Sequence, residues 1–115
     1  MNREYLIETV AKQRFEHCIN LMRSKNADYS GGTLREGDED PFANFRGATI
    51  FGIDPIIGIL LRTVDKLKRI ESFARKGQLQ VRSESVQDAF SDVINYMVLA
   101  EGMIGERESE KLLNC

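Results

Sequence analysis

The sequence is short of the residues on which several classes of protein depend. Its 115 residues include two cysteines, one histidine, two prolines and no tryptophan. Cys18 and Cys115 lack the spacing of a metal-binding pair, and with no signal-peptide-like start they indicate a reducing, cytoplasmic location. No apolar run approaches the length of a membrane span. Sixteen basic and eighteen acidic residues are intermingled, which disfavours polymeric nucleic acid or a membrane surface as a partner.

The motifs of several common enzyme chemistries are also missing. There is no GxxxxGK, GxGxxG, HExxH or paired CxxC sequence, and no spacing supports nucleophilic catalysis by serine or cysteine. Repeats and convincing strand patterns are absent as well. The sequence predicts one all-α domain over residues 1–115, a small bundle of three main helices that homo-oligomer formation would help to stabilise. A long irregular connection with a short helix is expected between the first and second helices.

The first helix is predicted from about Asn2 to Lys25, ending near residues 24–26. Its apolar residues recur at helical spacing; they are Ile7, Val10, Ala11, Phe15, Cys18, Leu21 and Met22. Arg14 lies in the middle of that face, so it either extends its charge to solvent or reaches a buried anion. His17 lies at the edge, where packing or hydrogen bonding is a commoner role than metal binding.

The connection that follows, residues 26–53, is long for so small a domain, and long connections are usually functional. An Asp-Pro pair predicts a short helix over Pro41 to Arg46. Several aromatic and basic side chains here would suit a base and its phosphates. They are Lys25, Tyr29, Phe42, Phe45 and Arg46. The alternative, which we favour for the two phenylalanines, is that they fill the core.

The second helix is predicted from Asp54-Pro55, another cap with proline at the first helical position, to Gly77. Its apolar face comprises Ile56, Ile59, Leu60, Thr63, Leu67, Ile70 and Ala74. Arg62, Asp65 and Arg69 line the opposite side. They form either a salt-bridged surface, with about 0.3 to 0.5 kcal/mol per pair, or part of a phosphate and metal site together with Lys66.

The third helix is predicted from about Ser83 to Ile104, with a break at Gly105 and a charged helical tail beyond. One side of its first half carries an acid stripe: Glu84, Asp88, Asp92 and Asn95. Three carboxylates within about two turns repel one another unless a cation, a basic side chain or water separates them. An oxygen-only cluster of this kind suits Mg²⁺ or Mn²⁺, and therefore phosphate chemistry.

A simpler interpretation of the stripe is that its acids belong to the start of the helix. Ser83 would cap the helix with Glu84 in the first turn, or Ser85 would cap it with Asp88 at the third position. Asp92 lies too far into the helix for either role, so its alternative is an ion-paired or solvated face.

Three segments resemble those of a known family. They are residues 25–30 (KNADYS), 61–70 (LRTVDKLKRI) and 84–96 (ESVQDAFSDVINY). They resemble the phage and prophage helical domains called nucleotide-modification-associated, which are similar to the MazG-like all-α nucleoside triphosphate pyrophosphohydrolases. The resemblance covers roughly residues 25–99. It implies a helical bundle, dimeric or larger, that binds a nucleoside triphosphate with Mg²⁺. The pyrophosphohydrolases hydrolyse this triphosphate to nucleoside monophosphate and pyrophosphate.

The sequence departs from the MazG-like pattern of an ExxE pair facing an ExxD pair. The second site reads Glu84-x-x-x-Asp88-x-x-x-Asp92 and the first is reduced to Asp65, so one carboxylate pair is missing. A single Mg²⁺ or a metal-free pocket therefore becomes an alternative to a multi-metal site.

The leading hypothesis is a Mg²⁺-dependent (or Mn²⁺-dependent) nucleoside triphosphate pyrophosphohydrolase. Glu84, Asp88 and Asp92 would hold the metal, and Asp65 and Asp92 would be catalytic. The predicted substrate-binding residues are Lys25, Tyr29, Arg62, Lys66, Arg69 and Asn95. The alternatives are a non-catalytic nucleotide-binding module with its pocket at a subunit interface, and a structural or interaction bundle.

Overall fold

The structure, a computed structural model, describes residues 1–29, 40–77 and 85–113, with the backbone alone for residues 25–29. Every element in these ranges is helical, which confirms the all-α prediction. We name four helices: α1 (residues 3–29), α2 (Ala43–Arg46), α3 (Pro55–Lys76) and α4 (Val86–Leu113). The chain divides into two compact units, Met1–Asp40 and Pro41–Cys115, which are described separately below.

The first unit contains α1, which has three consecutive stretches. Arg3–Tyr5 and Lys12–Tyr29 are α-helical and flank a π-helical stretch, Leu6–Ala11. Asn2 caps the start, since its side-chain oxygen accepts a hydrogen bond of 2.8 Å from the Tyr5 N–H. The predicted end near residues 24–26 is wrong, because the helix continues to Tyr29.

The second unit begins with α2, which passes directly into a 3₁₀ turn, Gly47–Phe51. The turn ends at Gly52, whose φ of 72° lies in the left-handed region that glycine adopts without strain. The predicted short helix over Pro41 to Arg46 is thus confirmed in place, although its α-helical part starts at Ala43. The 3₁₀ turn after it was not predicted.

Local signals set both ends of α3. Asp54 accepts a hydrogen bond of 2.8 Å from the Ile56 N–H, and Pro55 occupies the first turn, where its missing N–H has no cost. At the other end Gly77, with a φ of 73°, donates its N–H to the Phe73 carbonyl. The predicted bounds of this helix are confirmed.

The last helix, α4, extends further than predicted. It runs without interruption from Val86 to Leu113, so the break expected at Gly105 is wrong. A glycine inside a helix costs only about 1 kcal/mol relative to alanine. The next turn is held by contacts from elsewhere in the unit, because Arg46 donates to Glu106 at 3.2 Å and Arg107 pairs with Asp54.

Helices α3 and α4 form an antiparallel hairpin, and α2 packs on α3. The core comprises Phe42, Phe45, Ile59, Ala100 and Met103. Phe45 also meets Tyr96 edge to face, with ring centroids 6.0 Å apart. The interpretation that Phe42 and Phe45 fill the core is therefore confirmed.

Within the described ranges, no helix by itself has the length and hydropathy required to cross a bilayer; Ala43–Phe51 and Pro55–Lys76, bent by 105° where they join, meet that test only as a pair.

Candidate functional site

Beyond the apolar core, the contact between α3 and α4 contains a layer of polar side chains. Thr63, Ser91 and Asn95 are all buried there, although their side chains are polar. The Thr63 hydroxyl donates to the Ile59 carbonyl one turn earlier, at 2.9 Å. Among the described residues, every fully buried side-chain nitrogen or oxygen has a hydrogen-bond partner. The layer is therefore satisfied internally, as buried polar groups must be to avoid a desolvation cost.

An ion pair lies in the same layer and joins the two helices. The Lys66 ammonium is 3.0 Å from a carboxylate oxygen of Asp92, and the two side chains are only 19% and 17% exposed. At this depth solvent screens the attraction less than at the surface, but both charges have lost much of their hydration. The sequence placed both residues at the site without pairing them, and the structure brings them together.

Asp88, one turn before Asp92, has a different role. Ser85 caps α4: its hydroxyl accepts from the Asp88 N–H, and the Asp88 carboxylate accepts from the Ser85 N–H, each at 3.2 Å. This reciprocal pair is a capping box, and it satisfies two backbone donors at the helix start. The simpler interpretation given above for Asp88 is confirmed. One of its carboxylate oxygens is accordingly engaged by the cap.

The basic residues of α3 flank the ion pair along one side of the helix. Arg62 lies one turn before Lys66, with its guanidinium carbon 5.1 Å from the centre of the Phe45 ring, a cation–π contact. Arg69 lies one turn after Lys66 and is partly buried. Positions i, i+4 and i+7 follow one stripe, so the three cations form a row, which we call the basic row. Asp65 is adjacent in sequence but exposed.

Three predicted site residues are not brought to this layer by any described contact. Glu84 lies outside the described residues, and so do the side chains of Lys25 and Tyr29, which belong to the first unit. Elsewhere, in the ranges that the structure describes, no three histidine, cysteine or acidic side chains come close enough to hold a metal ion. The metal and substrate roles of these residues stay predictions.

A second pair, at the other end of the hairpin, was missed by the sequence analysis. Arg107 donates through both terminal nitrogens to the two oxygens of Asp54, at 2.9 and 2.5 Å. This bond, followed by the Ile56 N–H, holds the pKa of Asp54 below its ordinary value, and Asp54 in turn raises the pKa of Arg107. The sequence could have indicated this pair only if the helix had been predicted to continue past Gly105, because the continued helix places Arg107 beside the start of α3.

Comparison with known proteins finds a family match in this hairpin. The sequence model of the family described as nucleotide modification associated domain 1 matches residues 56–104, less than half of the chain. The matched segment includes the basic row, the ion pair and the polar layer. No curated protein and no solved structure matches the chain. The wider likeness to MazG-like pyrophosphohydrolases stays a prediction.

Proposed function

We propose that the protein binds a nucleotide, with its phosphates against the basic row of α3 and its polar groups near Asn95. The observation that carries this proposal is Lys66, an ammonium group held largely out of water by Asp92. It lies within the segment that matches a nucleotide-modification family. A phosphate needs cations that are already positioned, and a row of two arginines and one lysine supplies them.

On general physical grounds, an ion pair buried between two helices is not expected to be a main source of stability. Replacing a buried pair with apolar side chains of similar volume is often neutral or stabilising, because neither charge then has to be desolvated. A polar layer within a two-helix contact therefore carries a stability cost that binding would offset. Arg62 fits the same interpretation, since its contact with Phe45 limits the directions in which its guanidinium can point.

A phosphate at Lys66 would compete with Asp92 or share the ammonium with it. The pair is 3.0 Å apart, so a second anion brought to the ammonium is repelled by the Asp92 carboxylate. This repulsion makes a distinctive prediction for Asp92→Asn. If the residue only balances Lys66, its neutralisation strengthens binding of the nucleotide in the absence of metal.

Mg²⁺-dependent pyrophosphohydrolysis is the finer form of the proposal, and the described residues do not fit it by themselves. Asp88 and Asp92 are one turn apart, but the first is engaged by the helix cap and the second by Lys66. A hard cation prefers several oxygen ligands at once. Hydrolysis would thus require Glu84 or another ligand beyond the described residues, and the non-catalytic binding module is the better supported of the two forms.

The test is a titration of ribo- and deoxyribonucleoside mono-, di- and triphosphates into the protein by calorimetry, with and without Mg²⁺. Lys66→Met should weaken binding about tenfold or more, which is about 1.4 kcal/mol. Lys68→Met is the matched control, because it removes the same charge two residues away, at an exposed position on nearly the opposite side of α3. Equal losses in both variants would show that only net charge matters and would contradict the proposal.

Asp92→Asn, assayed for binding and turnover, separates the binding module from the enzyme. Tighter metal-free binding with no release of pyrophosphate supports the binding module. Loss of Mg²⁺-dependent turnover, with pyrophosphate released by the unmodified protein, supports the enzyme. Recovery of intact nucleotide after prolonged incubation with excess protein and Mg²⁺ would eliminate the enzyme.

A further inference from the structure

Arg62 differs from the other two cations of the basic row in its surroundings. Its side chain is exposed, whereas Lys66 and Arg69 are partly buried. The described contact of its guanidinium group is with the ring of Phe45, whose centre lies 5.1 Å from the guanidinium carbon. A guanidinium group is planar, so it stacks on aromatic rings through its face and donates hydrogen bonds at its edge. Arg62 therefore offers a flat cationic surface that an aromatic side chain holds in place.

The Phe45 ring is itself fixed by its neighbours. Phe45 belongs to the core, and Tyr96 of α4 meets its ring edge to face with the centroids 6.0 Å apart. Tyr96 lies at the level of Arg62, because the Lys66–Asp92 pair sets the register of the hairpin. Each of the two residues is one turn from its member of that pair, in the direction of the apolar core. Three helices, α2, α3 and α4, thus determine the position of the Arg62 guanidinium.

The basic row is covered at its Arg62 end. One turn before Arg62, the same stripe of α3 carries Gly58, and a Cβ on that glycine would lie 3.4 Å from the Cβ of Ala48 in the 3₁₀ turn. Both α2 and the 3₁₀ turn therefore pack on α3 at this end. Arg69 lies at the other end of the row, about two turns further along the helix. The row thus runs from an apolar, covered end to a charged end.

A nucleotide has the same gradient of polarity. Its base is planar with two weakly polar faces, its phosphates carry the charge, and the sugar separates them. One helical turn, about 6 Å, separates Arg62 from Lys66 along α3. A base on Arg62 therefore leaves the first phosphate near Lys66 and any further phosphates toward Arg69. The reverse orientation would place the phosphates against the apolar side chains of α2 and the base beside the ion pair, where neither meets a matching surface.

We infer that the base of the bound nucleotide stacks on the exposed face of the Arg62 guanidinium, opposite the Phe45 ring, while Lys66 and Arg69 hold the phosphates. This inference rests on the proposed function and divides the basic row by role. The charge of Arg62 still attracts the phosphates, but its planar face is what distinguishes ligands. The ligand class is a phosphate ester that carries an aromatic base, as opposed to a sugar phosphate or an inorganic polyphosphate. Every base has a π-face, so the stack requires a base without selecting one.

Calorimetric titration of the full chain without Mg²⁺ tests the inference with pairs of probes. Adenosine and uridine monophosphate are compared with ribose 5-phosphate, and the corresponding nucleoside triphosphates with inorganic triphosphate. The unmodified protein is expected to bind each nucleotide at least about tenfold more tightly than the probe without a base. Arg62→Lys keeps the charge and removes the plane, so it should reduce this preference to about twofold or less. The affinity for the probes without a base should change by less than about twofold.

Two further variants serve as controls. Arg75→Lys makes the same chemical change on a part of α3 where the side chain is 76% exposed, and it should leave every affinity unchanged. Lys66→Met should weaken both members of each pair alike, by about tenfold, and keep the preference for the base. Because Arg62 is exposed, its replacement by lysine is tolerated by the fold, and circular dichroism checks that the helices persist.

The outcomes separate this inference from the proposed function. If Arg62→Lys weakens both members of a pair equally, Arg62 is a phosphate ligand, and the inference is overturned while the proposed function stands. Equal affinity of the unmodified protein for a nucleotide and for its base-free partner has the same meaning. If the unmodified protein binds none of the probes, the proposed function is wrong, and the inference is wrong with it.

Discussion

The two ends of the α3–α4 hairpin are built on different principles. At one end, the apolar end, Ile59 is fully buried among Phe42, Phe45 and Met103. At the other, the polar end, the same two helices enclose the Lys66–Asp92 pair. Close packing of apolar atoms stabilises a fold in proportion to the area buried, whereas a desolvated ion pair contributes little net stability. The comparison indicates that the apolar end holds the hairpin together and the polar end is available for function.

The largest expected effect comes from a substitution at the apolar end that removes buried side-chain atoms. Ile59→Ala removes three methyl or methylene carbons from a fully buried side chain, so it should lower the free energy of unfolding by about 2 to 4 kcal/mol. Chemical denaturation measures the loss. Ile50→Ala, at a largely exposed position of the same unit, is the control and should change stability by less than about 0.5 kcal/mol. Similar small losses in both variants would show that the apolar end is not the main source of stability.

The second test asks whether the polar end contributes net stability. Lys66→Met alone should cost about 1 to 3 kcal/mol, because Asp92 remains largely buried without its lysine. The double variant Lys66→Met with Asp92→Leu should recover most of that loss, since neither charge is then desolvated. Denaturation of the two single variants and the double variant completes the thermodynamic cycle. A double variant less stable than either single variant would mean that the polar layer stabilises the hairpin, contrary to our interpretation.

The sequence predicted the parts of this structure that depend on local signals. The bounds of α3 followed from Asp54, Pro55 and Gly77, each of which acts through its immediate neighbours. Gly105 was misleading, because the helix continues where Arg46 and Asp54 hold the following turn from elsewhere in the chain. Such contacts depend on the tertiary fold, which a helical wheel does not contain.

The candidate site shows the same division between local and tertiary information. A wheel places Lys66 on one stripe of α3 and Asp92 on one stripe of α4, and the sequence analysis selected both. It cannot give the register between two helices, so it did not pair them and expected a cluster of acids instead. The cap formed by Ser85 and Asp88 was foreseen as an alternative because it is a local motif.

Two glycines of α4 test how tightly the apolar end is packed. Gly105→Ala should stabilise the protein by roughly 0.5 to 1 kcal/mol, because alanine favours the helix and its Cβ would meet no atom within 4 Å. Gly102→Ala gains the same propensity, but its Cβ would lie 3.2 Å from the Phe42 ring, and the resulting strain should cancel the gain or reverse it. Thermal unfolding compares the two variants. Equal stabilisation in both would mean that Phe42 moves aside easily and that this contact is loose.

The smallest expected effect concerns Asp54, which caps α3 and pairs with Arg107 of α4 at the apolar end. Asparagine also caps helices well, so Asp54→Asn keeps the cap and removes only the charge facing Arg107. The pKa of Asp54 is lowered from its ordinary value of 3.8, first by the hydrogen bond from Arg107 and then by the Ile56 N–H. A lowered pKa in the folded state means that the unfolded chain binds the proton more readily. The carboxylate therefore stabilises the fold fully above pH 3.8 and loses that contribution as the pH falls through the lowered value.

Thermal unfolding of the parent and of Asp54→Asn, followed from pH 7 to pH 2, should give two curves that differ by a small margin at neutral pH. The curves should converge in acid, because the parent then loses the charge that the variant never had. Glu71→Gln is the matched control. Glu71 pairs with Arg75 at 3.1 Å one turn along the same helix, on a far more exposed surface, and its removal should have a smaller effect at pH 7. A difference between parent and Asp54→Asn that stays constant down to pH 2 would show that the cap geometry, rather than the charge on Asp54, is what the substitution disturbs.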